Sequence, residues 1–326
     1  MARISFIPLL LWILWQVQGS ATAAMEPSLF KPSGEPFTFE VADGTTFTGL
    51  RWEPASGLPV GIVVAVHGLS GAASDFEPAG DYLRDRGFAL WSYNLRGMGK
   101  DPVEKRRGDL KRVDAWYGDL QAVLEAARSA HPGTPVYLLG ESMGALIALQ
   151  YARRGEKAAA LDGLILSAPV VELEGELSWW QEFLARVFLL VAPWKRLDLG
   201  AMGEEASDPE TVNRVTRDPH YHAYLEQAPH RISSFSLRFL KQFMKLVEGA
   251  SPTAEEIQVP VLVLYAEHDI FVKPEAVERF IRFFPEEGVE ATYFPEAYHL
   301  LFHDPDTPKV LKRVEDWLRT RSPGSG

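Results

Sequence analysis

Short apolar, β-branched runs alternate with helix-favouring segments along most of this chain, and no other feature narrows its fold as far. Residues 61–66, 88–93, 136–139 and 161–167 read as strands, each bounded by Gly, Pro or polar positions. Between them, residues 75–86 (stopped by Gly87), 115–130 and 145–154 favour helix. Strands joined by helical crossovers lie parallel, so the rhythm specifies a mainly parallel sheet covered on both faces. Residues 37–52 alternate in polarity around Asp43-Gly44, which marks a β-hairpin and supplies an antiparallel edge. The rhythm stops after Val170. It resumes with a strand from Val259 to Tyr265, a helix over 275–284, a strand over 290–294 and a last helix near 308–319. One α/β domain carrying an insertion is therefore expected, with no internal repeat and no long linker.

Gly140-Glu141-Ser142-Met143-Gly144 falls at a strand-to-helix junction of this pattern. There the glycines let the backbone turn sharply and keep side chains away, so the serine hydroxyl stands exposed at a helix N-terminus. A serine is a weak nucleophile until a base takes its proton, and the base in turn needs a carboxylate to orient it. In a parallel sheet such groups converge from loops at the carboxyl ends of different strands. Asp269 follows the strand beginning at Val259, and His299 follows the strand ending at Phe294. Glu267 is the rival acid, less deep in its loop, and His303 the rival base, one helical turn beyond His299. His299 and His303 lack the intervening Glu and the third ligand of a zinc site, so no metal is expected. His268 is read as flanking the site, and His131, His220, His222 and His230 as loop or insertion residues. Acyl transfer also needs two amide donors for the oxyanion. Met143, after the nucleophile, and Leu69, after the strand end His67-Gly68, are placed to give them.

These residues resemble the α/β-hydrolase superfamily, within it the serine-hydrolase group of monoacylglycerol lipases and lysophospholipases, with a domain of the serine aminopeptidase S33 type. The elbow is similar to that group's G-H-S-M-G-G. Asn94-Leu95-Arg96-Gly97-Met98-Gly99 resembles its D-x-R-G-H-G turn, Arg107-Gly108 a further R-G, and Ala297-Tyr298-His299-Leu300-Leu301 its A-Y-H-E-L segment. Ser207-Asp208-Pro209-Glu210 and Arg217-Asp218-Pro219 echo its cap. Glu141 and Met98 stand where the group has histidines, and Asn94 where it has aspartate. The resemblance implies an α/β-hydrolase fold: a mostly parallel eight-stranded sheet, helices on both faces and a helical cap insertion. It implies an ester hydrolase working through an acyl-enzyme, with no metal or organic cofactor. The same triad acting on amide, peptide or thioester bonds is the alternative, and a hydrolase-like binding protein without turnover is a second.

On this reading the chain divides into a signal peptide (1–23), a first core part (24–170), the cap (171–252), a second core part (253–320) and a tail (321–326). Arg3, the apolar stretch 4–17 and Ala21-Thr22-Ala23 have the order of an export signal, with an uncleaved membrane anchor as the alternative. The chain has no cysteine, so export without disulfides points to a bacterial periplasm or medium. A formal charge of −11 argues against a nucleic-acid partner. Within the cap, Trp179, Trp180 and Phe183 belong to an apolar helical stretch that either packs the cap's own core or lines an acyl pocket and touches a membrane interface. Glu141 is a further pocket candidate. A small-molecule or lipid ester is the expected partner.

Overall fold

The computed structural model describes residues 33–154, 161–173, 188–199 and 215–322. The predicted signal segment lies outside them, as do Trp179, Trp180 and Phe183. A single large sheet runs in the order β1-β2-β4-β3-β5-β6-β9-β10, and a two-stranded ribbon pairs β7 with β8. The hairpin β1 (Glu35–Glu40) and β2 (Thr46–Trp52) is antiparallel, and β2 pairs antiparallel with β4 (Ala89–Tyr93). From there β3 (Ile62–Val66), β5 (Val136–Glu141), β6 (Gly163–Ser167), β9 (Val261–His268) and β10 (Val289–Tyr298) are parallel. The mainly parallel sheet expected from the rhythm is thus present, with the eight strands that the resemblance implies.

Alternation along the central strands splits the core in two. Val64, Leu138, Leu164 and Val263 face one side, and Val63, Leu139, Ile165 and Leu262 the other. The first face is covered by α2 (Asp114–Ala130) and α3 (Met143–Ala152), the second by α1 (Glu77–Arg84) and, from the chain's end, α8 (Thr307–Arg319). Helix α3 is apolar all round, and nearly every residue in it is buried. Burial on every side fits its place between the sheet and the later helices.

Between β6 and β9 the described chain contains β7 (Arg196–Asp198), α4 (Pro219–Gln227), β8 (Ser234–Ser236), α5 (Leu237–Glu248) and α6 (Ala250–Ala254). Asp218 caps α4, its carboxylate accepting from the amides of His220 and Tyr221, and Ser236 caps α5 through the Phe239 amide. Although α5 falls within residues 171–252, it belongs to the core: Phe239, Leu246 and Val247 join the first core face, and Gln150 Nε2 donates to the Leu246 carbonyl at 2.8 Å. The segment ahead of it rests on loops at the carboxyl end of the sheet. Ser70 Oγ donates to the Ile232 carbonyl at 2.7 Å and accepts from its amide at 2.8 Å, and the Leu300 amide donates to Val215 O at 2.8 Å. The remaining helix, α7 (Pro274–Ile281), packs Val277 and Phe280 on the first face.

Strand ends run further than the sequence rhythm suggests. β9 continues through Glu267 and His268, so Asp269 is the first residue past the strand. β10 continues through Pro295 to Tyr298, with a register shift between Phe294 and Tyr298 where the proline interrupts the ladder.

Candidate active site

Ser142 sits between β5 and α3 with φ 56° and ψ −121°, a conformation that disfavours side chains. Ser70 and Ala168, after β3 and β6, are the other non-glycine residues with positive φ among the described residues. Strained backbone thus gathers at the carboxyl ends of three adjacent central strands. The flanking glycines let the elbow form. A Cβ on Gly144 would lie 2.0 Å from the Val66 carbonyl oxygen, and one on Gly140 would lie 2.4 Å from the Gly144 oxygen. Both are backbone contacts that no side-chain rotation relieves. Gly144→Ala is therefore expected to destabilise the fold by about 3 kcal/mol or more, read as a drop in the urea midpoint. An unchanged midpoint would show that the elbow is not packed this tightly.

Asp269 and His299 meet as their strands predict. His299 Nδ1 lies 2.7 Å from Asp269 Oδ2, and both side chains are almost fully buried. Because a carboxylate only accepts, Nδ1 carries the proton and Nε2 keeps its lone pair for a substrate proton. Asp269 Oδ1 accepts from the amides of Phe271 at 2.8 Å and Val272 at 3.2 Å, so the carboxylate cannot rotate freely. The Phe271 ring stands edge-on to the imidazole, with centroids 4.6 Å apart, while nearly half of Phe271 is exposed. Glu267, the rival acid, instead accepts from Tyr293 OH at 2.5 Å. His303, the rival base, donates from Nε2 to the Asp75 carbonyl at 2.6 Å and stacks on Tyr221 at 3.5 Å between centroids. Burial also pushes its pKa down to about 4. It holds a loop and has no free lone pair at that nitrogen for a substrate.

The loop after β3 abuts Ser142. A Cβ on Gly68 would stand 3.1 Å from Ser142 Cβ and 3.6 Å from Oγ, which puts Leu69 on the segment facing the hydroxyl. Met143 opens α3, where the first amides have no carbonyl of their own helix to bond. The β3 loop is pinned at several points. His67 Nε2 accepts from the Leu95 amide at 3.0 Å, so its Nδ1 donates to the Gly68 carbonyl at 2.8 Å. Full burial lowers the His67 pKa to about 3, keeping it neutral. Met98 and Asn94, where the family has histidine and aspartate, serve the same loop: Ser70 N donates to Met98 Sδ at 3.3 Å and Ala73 N to Asn94 Oδ1 at 3.0 Å.

Glu141 lies behind Ser142 and is only 3% exposed. Burial first, then the charge of Asp75, raises its pKa to about 8. Asp75, which the sequence reading treats only as the start of a helix, is the neighbour it missed; a carboxylate opening a helix carries no signal that its oxygens face another loop. A surface depression of about 400 Å³ bordered by Arg279, Phe280 and Phe283 includes none of these residues. Among the described residues no cluster of His, Asp and Glu could hold a metal ion.

A serine at a strained elbow, an imidazole oriented by a fixed carboxylate and amides on facing segments are the parts that acyl transfer needs. The family model described as serine aminopeptidase, S33, matches residues 57–306. Phospholipase YtpA of Bacillus subtilis is 24% identical over 262 residues, 80% of this chain and 96% of that protein. A monoacylglycerol lipase of Mycolicibacterium smegmatis is 25% identical over 272 residues, 82% of this chain and 90% of its own length. Among solved structures, a soluble variant of Saccharomyces cerevisiae monoglyceride lipase superposes with a TM-score of 0.75 at 23% identity, covering 93% of this chain and 99% of that one. A Bacillus coagulans carboxyl esterase gives 0.74 at 20% identity, covering 88% and 98%. On a match that spans most of its length, and on a sheet of this order, the chain belongs to the serine aminopeptidase S33 family of α/β-hydrolases.

Proposed function

We propose that this protein hydrolyses lipid-like carboxylic monoesters such as monoacylglycerols or lysophospholipids, and that Ser142, His299 and Asp269 carry the reaction. The observation that carries the proposal is the 2.7 Å contact from His299 Nδ1 to Asp269, which orients the imidazole and leaves its Nε2 as the acceptor. Ser142 Oγ attacks the acyl carbonyl while His299 Nε2 takes its proton, and the oxyanion is met by the Leu69 and Met143 amides. The C–O bond then breaks, and the leaving alcohol takes the proton from His299. Water repeats the sequence on the acyl-enzyme, giving the free acid and restoring Ser142. No step calls for a metal or organic cofactor.

The lipid-like substrate is supported by the relatives' names and by apolar surface on the inserted segment. Phe188, Leu190, Val191 and Trp194 are each about half exposed or more, directly after the stretch holding Trp179, Trp180 and Phe183. Such a surface suits an acyl chain or the edge of a bilayer better than a charged peptide. We read this segment as a cap over the site, and residues 1–23 as an export signal. Hydrolysis of p-nitrophenyl esters of increasing chain length tests the substrate class. The expected profile rises by roughly fourfold per added methylene and then falls once the chain outgrows the pocket. A flat profile would contradict the lipid pocket, and preference for an amino-acid anilide over every ester would favour the amide alternative.

A further inference from the structure

Two carboxyl oxygens near the elbow have no partner. Glu141 Oε1 and Asp75 Oδ1 are both buried, and neither is within hydrogen-bonding reach of a donor. A buried acceptor without a donor is costly, and two of them on carboxyls that feel each other's charge call for a shared explanation. The groups lie on separate loops that meet around Ser142. Glu141 ends β5, one residue before the nucleophile, and its carboxyl is faced by the Phe302 amide from the loop that follows His299. Asp75 belongs to the loop after β3: its Oδ2 accepts from the Ala72 amide at 3.0 Å, and its carbonyl holds His303. We propose that Glu141 and Asp75 share one proton between these two oxygens, directly or through a water. The shared proton then positions the nucleophile elbow against the loops that carry Leu69 and His299.

The surroundings favour a single proton on the pair. Burial raises Asp75 to about 6 and Glu141 to about 8, and Asp75 itself adds to the rise of Glu141. Asp269 pushes Glu141 the same way, and the Phe302 amide opposes it. Around Asp75, the Ala72 amide, Lys100 and Arg231 favour its charged form. His67 Nδ1 borders the same space: a Cβ on Gly71 would stand 2.9 Å from it and 2.5 Å from Asp75 Oδ2. Tyr221 and Tyr224, from α4, also feel the Asp75 charge, and Tyr221 that of Glu141. Between about pH 6 and pH 8 the pair therefore holds one proton, with Asp75 the acceptor and Glu141 the donor. Above that range both ionise. Two like charges then repel each other near the proposed oxyanion hole, which loosens the contact between loops and opposes the negative charge of the transition state. Glu141 touches no reacting atom and acts through the elbow, so it is a positioning residue.

This inference rests on the serine-hydrolase reading, and its test separates the two. The rate at which a fluorophosphonate labels Ser142 is followed from about pH 6.5 to 9.5 in the full chain, with Glu141→Gln and Asp75→Asn alongside. The parent is expected to lose reactivity above about pH 8, roughly tenfold per pH unit once Glu141 is charged. Glu141→Gln should label within about fivefold of the parent near neutrality, since its carboxamide N–H can donate to Asp75 as the protonated acid does, and should show no alkaline fall because a carboxamide cannot ionise. Asp75→Asn should move the fall to lower pH, since it removes the charge that raises Glu141. An alkaline fall kept at the parent midpoint in Glu141→Gln overturns the proposal, as does a parent with no fall. If Glu141→Gln does not fold, an unmoved midpoint in Asp75→Asn overturns it. A parent that takes no label at any pH overturns the hydrolase reading and this inference with it.

Discussion

Replacing Ser142 with alanine is expected to lower kcat for ester hydrolysis by roughly 10⁶-fold while the fold survives. The size of the loss follows from the division of labour at the site. Without the hydroxyl no acyl-enzyme forms, and His299 has no nucleophile to deprotonate other than a water that nothing holds at the attack position. Residual rate would come from substrate binding and the Leu69 and Met143 amides alone. The fold should persist because the elbow depends on Gly140 and Gly144 and on the Ser142 backbone, whose amide donates to the Ser167 carbonyl at 2.9 Å. The hydroxyl adds nothing to that bond. A loss of activity together with a large drop in melting temperature would mean that Ser142 matters for folding and would leave its role in chemistry unproved.

Asp269→Asn is expected to cost roughly 10⁴-fold in kcat with little change in KM. The geometry says why a near-isosteric change should be so damaging. The amides of Phe271 and Val272 both donate to Oδ1, so an asparagine there keeps its carbonyl oxygen at that position. Its NH₂ group must then face His299 Nδ1, which can only accept from it. The imidazole proton is driven to Nε2, the atom that has to receive the serine proton. Measured kcat and KM for Asp269→Asn beside Asp269→Ala test this: equal losses would support a tautomer held by Asp269, whereas near-parent kcat in the asparagine variant would contradict it.

Much of this arrangement is legible in the sequence because each part is local. Strand ends are marked by β-branched runs, and in a parallel sheet loops at one end converge, so Ser142, Asp269 and His299 could be named from position. Asp269 rather than Glu267 follows from the strand continuing through His268, a boundary the sequence places too early. Other features depend on contacts between distant segments. Helix α5 reads as part of an insertion because its neighbours in sequence are irregular, yet its apolar face completes the core against α3. The passage of β10 through Pro295 depends on a bulge that no propensity foretells. Asp75 reads as the start of a helix, as many aspartates do, and only the meeting of loops brings its charge to bear on Glu141. His303 could have been a base on spacing alone; its bond to the Asp75 carbonyl decides otherwise.

The central claim is that Ser142 is a nucleophile activated by His299, and covalent labelling tests it without knowledge of the natural substrate. The full-length protein is incubated with a fluorophosphonate, digested, and the modified residue located by mass spectrometry, with His299→Ala treated in parallel. The account predicts one adduct, on Ser142, formed more slowly by roughly 10⁴-fold or more in the histidine variant. Adduct on another residue, or equal labelling of Ser142 in His299→Ala, would contradict it.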